Sequence, residues 1–159
     1  MSPLRPAYIA ALALSIALGA QAGAWGDGTL ENDAAQDWLA ECARSTDSAL
    51  VSEAIEMALA SSHLDADDGS AAVAAAEVIA GAIERRSTAG AKVQAVPCLA
   101  GTPPEALRTL ALQARQALAR VADPKVSELA QLWAEDNKAQ RWSANLARLA
   151  GRLAATPAP

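Results

Sequence analysis

Residues 102–121 read Thr-Pro-Pro-Glu-Ala-Leu-Arg-Thr-Leu-Ala-Leu-Gln-Ala-Arg-Gln-Ala-Leu-Ala-Arg-Val. Their spacing decides the fold. Thr102 is placed to cap, Pro103 suits a first helical turn, and Glu105 can reach back to the cap. Leu107, Leu110, Ala111, Ala114, Leu118 and Val121 then recur every three or four residues, the signature of one buried helical face. Asp123-Pro124 repeats the start signal and predicts a further helix carrying Val126, Leu129, Leu132 and Trp133. A last helix follows, with Ala139, Trp142, Leu146, Leu149 and Leu153 in alternating threes and fours.

The same period runs upstream. Asn32 is a candidate cap for a helix presenting Ala34, Ala35, Trp38, Leu39 and Cys42 on one face. After Ser45-Thr46-Asp47, a second helix carries Leu50, Val51, Ala54, Ile55, Ala58 and Leu59. The third, expected over Ser70 to Arg86, is so rich in alanine that most of its circumference can be buried. Residues 87–101, with Gly90, Pro97 and Gly101, interrupt it. No segment alternates with period two over a useful length. The expected fold is a single all-α domain, a compact bundle of five or six helices with short loops.

The N-terminus has a different character. Arg5 precedes an apolar run from Ala7 to Leu18 that only Ser15 interrupts, and Ala20-Gln21-Ala22 has the small-x-small form of a signal-peptidase site. The run is too short for a spanning helix, which needs about 20 apolar residues. The expected division is a cleavable signal peptide over 1–22, with cleavage between Ala22 and Gly23, a domain over 23–155, and a disordered tail over 156–159. Export to the periplasm or the medium follows, without stable membrane insertion after cleavage.

Without residues 1–22, 12 Lys/Arg face 18 Asp/Glu, a formal charge of −6. No basic run exceeds Arg85-Arg86, so nucleic acid and anionic membranes are disfavoured partners. Phe is absent, and the one tyrosine, Tyr8, leaves with the signal. Trp25, Trp38, Trp133 and Trp142 therefore supply all the Phe, Tyr or Trp rings of the mature chain, and are expected as structural anchors. Cys42 and Cys98 are an even pair in an oxidising compartment and read as a disulfide. Two buried, inert thiols are the alternative, while the missing Cys-x-x-Cys spacing disfavours a redox pair.

Gly23-Ala-Trp-Gly-x-Gly, followed by Glu31-Asn32-Asp33-x-Ala35-x-Asp37-Trp38, resembles the start of the bacterial family called domain of unknown function 4259. The likeness continues through Ala75-Ala-Glu77-Val78, Leu118-Ala-Arg-Val121, Ser127-Glu-Leu129, Leu132-Trp133 and Trp142 onward. The resemblance implies a small helical domain and carries no catalytic or ligand residue across. It also implies relatives that begin Met-Gly-Ala-Trp, so methionine removal there and signal cleavage here would leave the same free Gly23 end. The leader and the cysteine pair are departures from that pattern.

Four constellations invite a functional reading. The glycines around Trp25 would let a backbone approach a ligand, or supply positive φ for a turn in which Trp25 plugs one end of the bundle. No basic residue follows them, so a phosphate loop is unsupported. Asp65, Asp67 and Asp68 open like a calcium loop, but the glycine comes one place early and Glu77 misses the closing position. A solvated loop with Asp68 or Ser70 as helix cap is the alternative. Glu77 is the one charge between Ser70 and Glu84, and a buried carboxylate needs a partner or a proton. Its expected role is an anchor for the Gly23 terminus, Arg86 or turn amides. His63 is a lone imidazole and makes no zinc site by itself.

These readings favour a non-enzymatic exported binding or interaction module that needs no cofactor and meets a protein partner in the cell envelope. The alternative is a small envelope hydrolase using paired carboxylates, with Glu31, Asp33 and Glu77 as candidates.

Overall fold

In a computed structural model the chain forms the expected helical bundle. The structure describes residues 24, 26–87 and 96–154, so the signal segment, Gly23, Trp25 and the 156–159 tail lie outside the described residues. The described residues form six helices: α1 (Asp33–Arg44), α2 (Ala49–Ala60), α3 (Ala66–Ser87), α4 (Pro104–Val121), α5 (Glu128–Ala134) and α6 (Ala139–Ala154). A single 3₁₀ turn, Pro97–Leu99, precedes α4. Among the described residues β-type pairing is confined to isolated bridges, Ala24 with Asn32 and Leu64 with Ser127.

The organising element is α3, which packs against each of the other five helices. A helix surrounded on so many sides must keep its side chains short, and this one does. Ala72, Ala74, Ala75, Ala76 and Ala80 are fully buried, with Val73, Val78, Ile79 and Ile83 filling the wider gaps. The predicted stripe of α4 is buried throughout, and α6 buries Trp142, Leu146, Leu149 and Leu153. Trp133 and Trp142 stack with ring centroids 5.7 Å apart and planes 13° from parallel, tying α5 to α6. Trp38 is buried on α1. The described tryptophans are thus core residues rather than surface contacts. Large exposed hydrophobics are Met57, Leu112 and Leu132, one each on α2, α4 and α5.

Three predicted starts move, each for a local reason. Pro103 is followed by another proline, which holds it in extended backbone (ψ 155°), so Pro103 becomes the N-cap and the helix begins at Pro104. Asp123-Pro124 begins a turn, not a helix: Val126 and Ser127 both donate to the Asp123 carbonyl. The chain then runs beside Leu64, whose N–H donates to Val126 O at 2.8 Å and whose carbonyl accepts from Glu128 N at 2.9 Å. That pairing holds Ser127 extended, and its buried hydroxyl accepts from Ala130 N to cap α5. With α5 only seven residues long, Leu129 and Trp133 point inward one turn apart and Leu132 is left 42 % exposed. Finally, α3 starts four residues before the expected Ser70, for a reason that lies in its aspartates.

The sulfurs of Cys42 and Cys98 lie 2.05 Å apart, at disulfide distance, joining α1 to the 3₁₀ turn. Both cysteines are fully buried. At a separation of 56 residues a bridge there would contribute about 4 kcal/mol through lost loop entropy.

Candidate functional site

Among the described residues a polar network forms where the glycine-rich lead-in meets α3 and α6. Residues 26–31 form a tight turn closed by Glu31 N donating to Gly28 O at 3.2 Å. The Glu31 carboxylate folds back over that turn and accepts from Gly28 N at 2.8 Å. Its position explains both glycines. A Cβ on Gly26 would lie 1.9 Å from Glu31 Oε2, and one on Gly28 would lie 2.9 Å from Glu31 Cδ. Neither residue has the positive φ expected from sequence; what excludes a side chain is the returning carboxylate.

Asp27 fixes the turn to α6. Its carboxylate pairs with Arg141 Nε at 2.8 Å, and its backbone carbonyl accepts from Asn145 Nδ2 at 2.6 Å. Thr29 fixes it to α3 by donating to Glu77 Oε1 at 2.6 Å. Gln36 reaches back from α1 to the Leu30 carbonyl at 2.8 Å. Leu30 packs against the core beneath.

Glu77 is the hub. Its second oxygen accepts from Arg152 Nη1 at 2.5 Å, and its side chain is only 17 % exposed. Arg152 also engages Glu84 through Nε at 2.7 Å and through Nη2 at 3.1 Å. The bidentate fork holds the Glu84 carboxyl below the usual carboxylate range, chiefly through these hydrogen bonds, with burial opposing. The same contacts, led by that with Glu84, raise the Arg152 guanidinium further above its already high value. Glu77 is therefore anchored by Thr29 and Arg152. Gly23 lies outside the described residues, as does the Arg86 side chain.

The remaining candidates fall elsewhere. Asp65 caps α3, its Oδ1 accepting from Asp68 N at 2.8 Å and its carbonyl from Gly69 N at 3.0 Å. The cap is thus neither Asp68 nor Ser70; Ser70 instead donates to the Ala66 carbonyl. Asp67 and Asp68 occupy the first turn, where the helix dipole favours negative charge. Partial burial, then the nearby Asp65 charge, raises the Asp68 pKa. Among the described residues no three of His, Cys, Asp and Glu form a group that could hold a metal ion. His63 is exposed. Of the nominated carboxylate trio, Glu31 is committed to Gly28, Glu77 to Thr29 and Arg152, and Asp33 is exposed at the start of α1.

A family model described as "Domain of unknown function (DUF4259)" matches residues 23–145, most of the chain. The chain belongs to this family. Membership places the Gly-Ala-Trp-Gly segment, Glu77 and the helices through the first two turns of α6 within the shared unit, while Arg148 and Arg152 lie beyond the matched span. No curated protein and no solved structure matches the chain. Among the described residues no helix is long and apolar enough to cross a membrane.

The sequence did not single out Thr29, Asp27, Arg141, Asn145 or Arg152. A signal for the last three was present. Lys138, Arg141, Asn145, Arg148 and Arg152 repeat in threes and fours, offset from the apolar stripe of α6, so they flank the buried face along one edge.

Proposed function

We propose that this DUF4259 protein is an exported, disulfide-stapled helical module that acts by docking a protein partner in the cell envelope rather than by catalysis. One observation carries the reading: the carboxylates nearest the most distinctive segment of the chain are spent on holding that segment in place. Both oxygens of Glu77 are engaged, and Glu31 is folded onto Gly28. Side chains fixed by internal partners form a rigid surface, which is what a docking module needs and what an acid–base pair does not. Export is supported by the signal-like start, by a cysteine pair at bonding distance, and by a family match that begins at residue 23, where cleavage is expected.

The test is chemical crosslinking of intact exporting cells, with the crosslinked product identified by mass spectrometry. A reproducible envelope partner, lost when Trp142→Ala loosens the core, supports docking. Turnover of an envelope glycan or peptide by the purified mature chain, with no partner captured, would overturn it.

A further inference from the structure

The basic edge of α6 stands out on a chain with an acidic balance. Lys138, at the N-terminal end of the helix, is followed along one side by Arg141, Arg148 and Arg152. Over 14 residues the row spans about 21 Å. Arg152 is consumed by Glu77 and Glu84. Arg141 pairs with Asp27 yet keeps 67 % of its side chain exposed. Arg148 is exposed and donates to the neutral Asn145 Oδ1.

This edge already holds a segment of the chain itself. At Arg141 and Asn145 it holds a peptide turn by two features at once, the Asp27 carboxylate and the Asp27 backbone carbonyl. A guanidinium for the acid beside an amide donor for the main chain is peptide-reading chemistry.

We propose that the α6 edge formed by Lys138, Arg141 and Arg148 docks an acidic peptide segment of the envelope partner, alongside the N-terminal turn already seated there. The proposal rests on the docking function above and names its surface. A narrow segment can follow the row, whereas a broad anionic surface would meet the surrounding carboxylates of a chain with formal charge −5. Such contacts act mainly through steering and register, so binding weakens steeply with salt.

The experiment is fluorescence anisotropy of a fluorescein-labelled peptide of alternating Glu and Gly, titrated with the mature protein at low and physiological salt. Two charge reversals are compared, Arg148→Glu on α6 and Arg115→Glu on an exposed position of α4, with folding checked by circular dichroism. The expected result is salt-sensitive binding that Arg148→Glu weakens by about fivefold or more and Arg115→Glu by less than about twofold. The inference falls if wild-type protein does not bind the peptide, or if both reversals weaken binding equally. It also falls if inorganic phosphate or phosphatidylglycerol vesicles bind with the same dependence on Arg148. Repeating the cell crosslinking with Arg148→Glu separates the two claims. A partner captured undiminished leaves docking standing and removes this surface. No partner captured by wild type, with peptide binding intact, removes docking alone.

Discussion

Replacing Glu77 by Gln tests the hub of the N-terminal construction with the smallest change of shape. Glutamine keeps one oxygen, so it can accept from Thr29 or from Arg152 but no longer from both with a full charge. Leaving one member of a fully buried ion pair alone costs about 3–5 kcal/mol, whereas an exposed pair is worth about 0–1 kcal/mol. The Glu77 side chain is 17 % exposed and that of Arg152 38 %, and Arg152 retains Glu84, so the cost falls between these limits. We expect about 2 kcal/mol, which for a domain of this size lowers Tm by about 5–10 °C. Thermal melts at neutral pH followed by circular dichroism measure it. Glu84→Gln serves as the comparison and should cost less than about 1 kcal/mol, because the Glu84 side chain is 50 % exposed. An unchanged Tm for Glu77→Gln, or an equal effect of the two substitutions, would refute the assignment of Glu77 as anchor.

Other perturbations probe separate links. Cys42→Ser with Cys98→Ser removes the bridge across 56 residues and should cost about 4 kcal/mol in denaturant titrations, with mild reductant giving wild type the same loss only after prior unfolding. Trp142→Ala should cost about 3–5 kcal/mol and abolish the near-ultraviolet circular dichroism of its stack on Trp133. Gly28→Ala should destabilise by about 1 kcal/mol, and adding Glu31→Ala should cancel part of that by clearing the clash, which a double-mutant cycle reads as coupling. On acidification the two shifted carboxyls act in opposite directions. The pKa of Asp68 is raised, so its protonation stabilises the fold as pH falls through that value. The pKa of Glu84 is lowered, so its stabilisation is present above the ordinary carboxylate range and is lost as pH falls through the depressed value. Stability of Glu84→Gln should therefore decline less than that of wild type below about pH 4, as followed by melts at successive pH values.

The helices were legible because packing and period coincide. On α4 and α6 each apolar residue at the predicted spacing is buried or half-buried, and on α3 the alanine content announced a helix enclosed on many sides. The misplaced starts share a cause: two residues, Pro103 and Ser127, are held extended by something outside the helix pattern. For Pro103 it is the following proline, which was visible; for Ser127 it is the distant Leu64 backbone, which was not. The acidic start of α3 was misread because Asp65-x-x-Asp68 serves a cap and a metal loop equally well on paper.

At the candidate site, Glu77 was conspicuous as a lone charge among alanines, but its partners were not. Thr29 is 48 residues away and Arg152 is 75, and nothing local marks either as the group that meets it. The two glycines were noticed for the right property and the wrong reason. Their lack of a Cβ matters because Glu31 returns over the turn, a tertiary fact that no propensity encodes.

The most direct measurement of the central claim is native mass spectrometry of the protein isolated from the exported fraction without reductant. The expected species begins at Gly23, is two hydrogens lighter than the reduced sequence, and co-isolates with a protein partner. A chain retained inside the cell, beginning at Met1 with both thiols free and nothing bound, would contradict it.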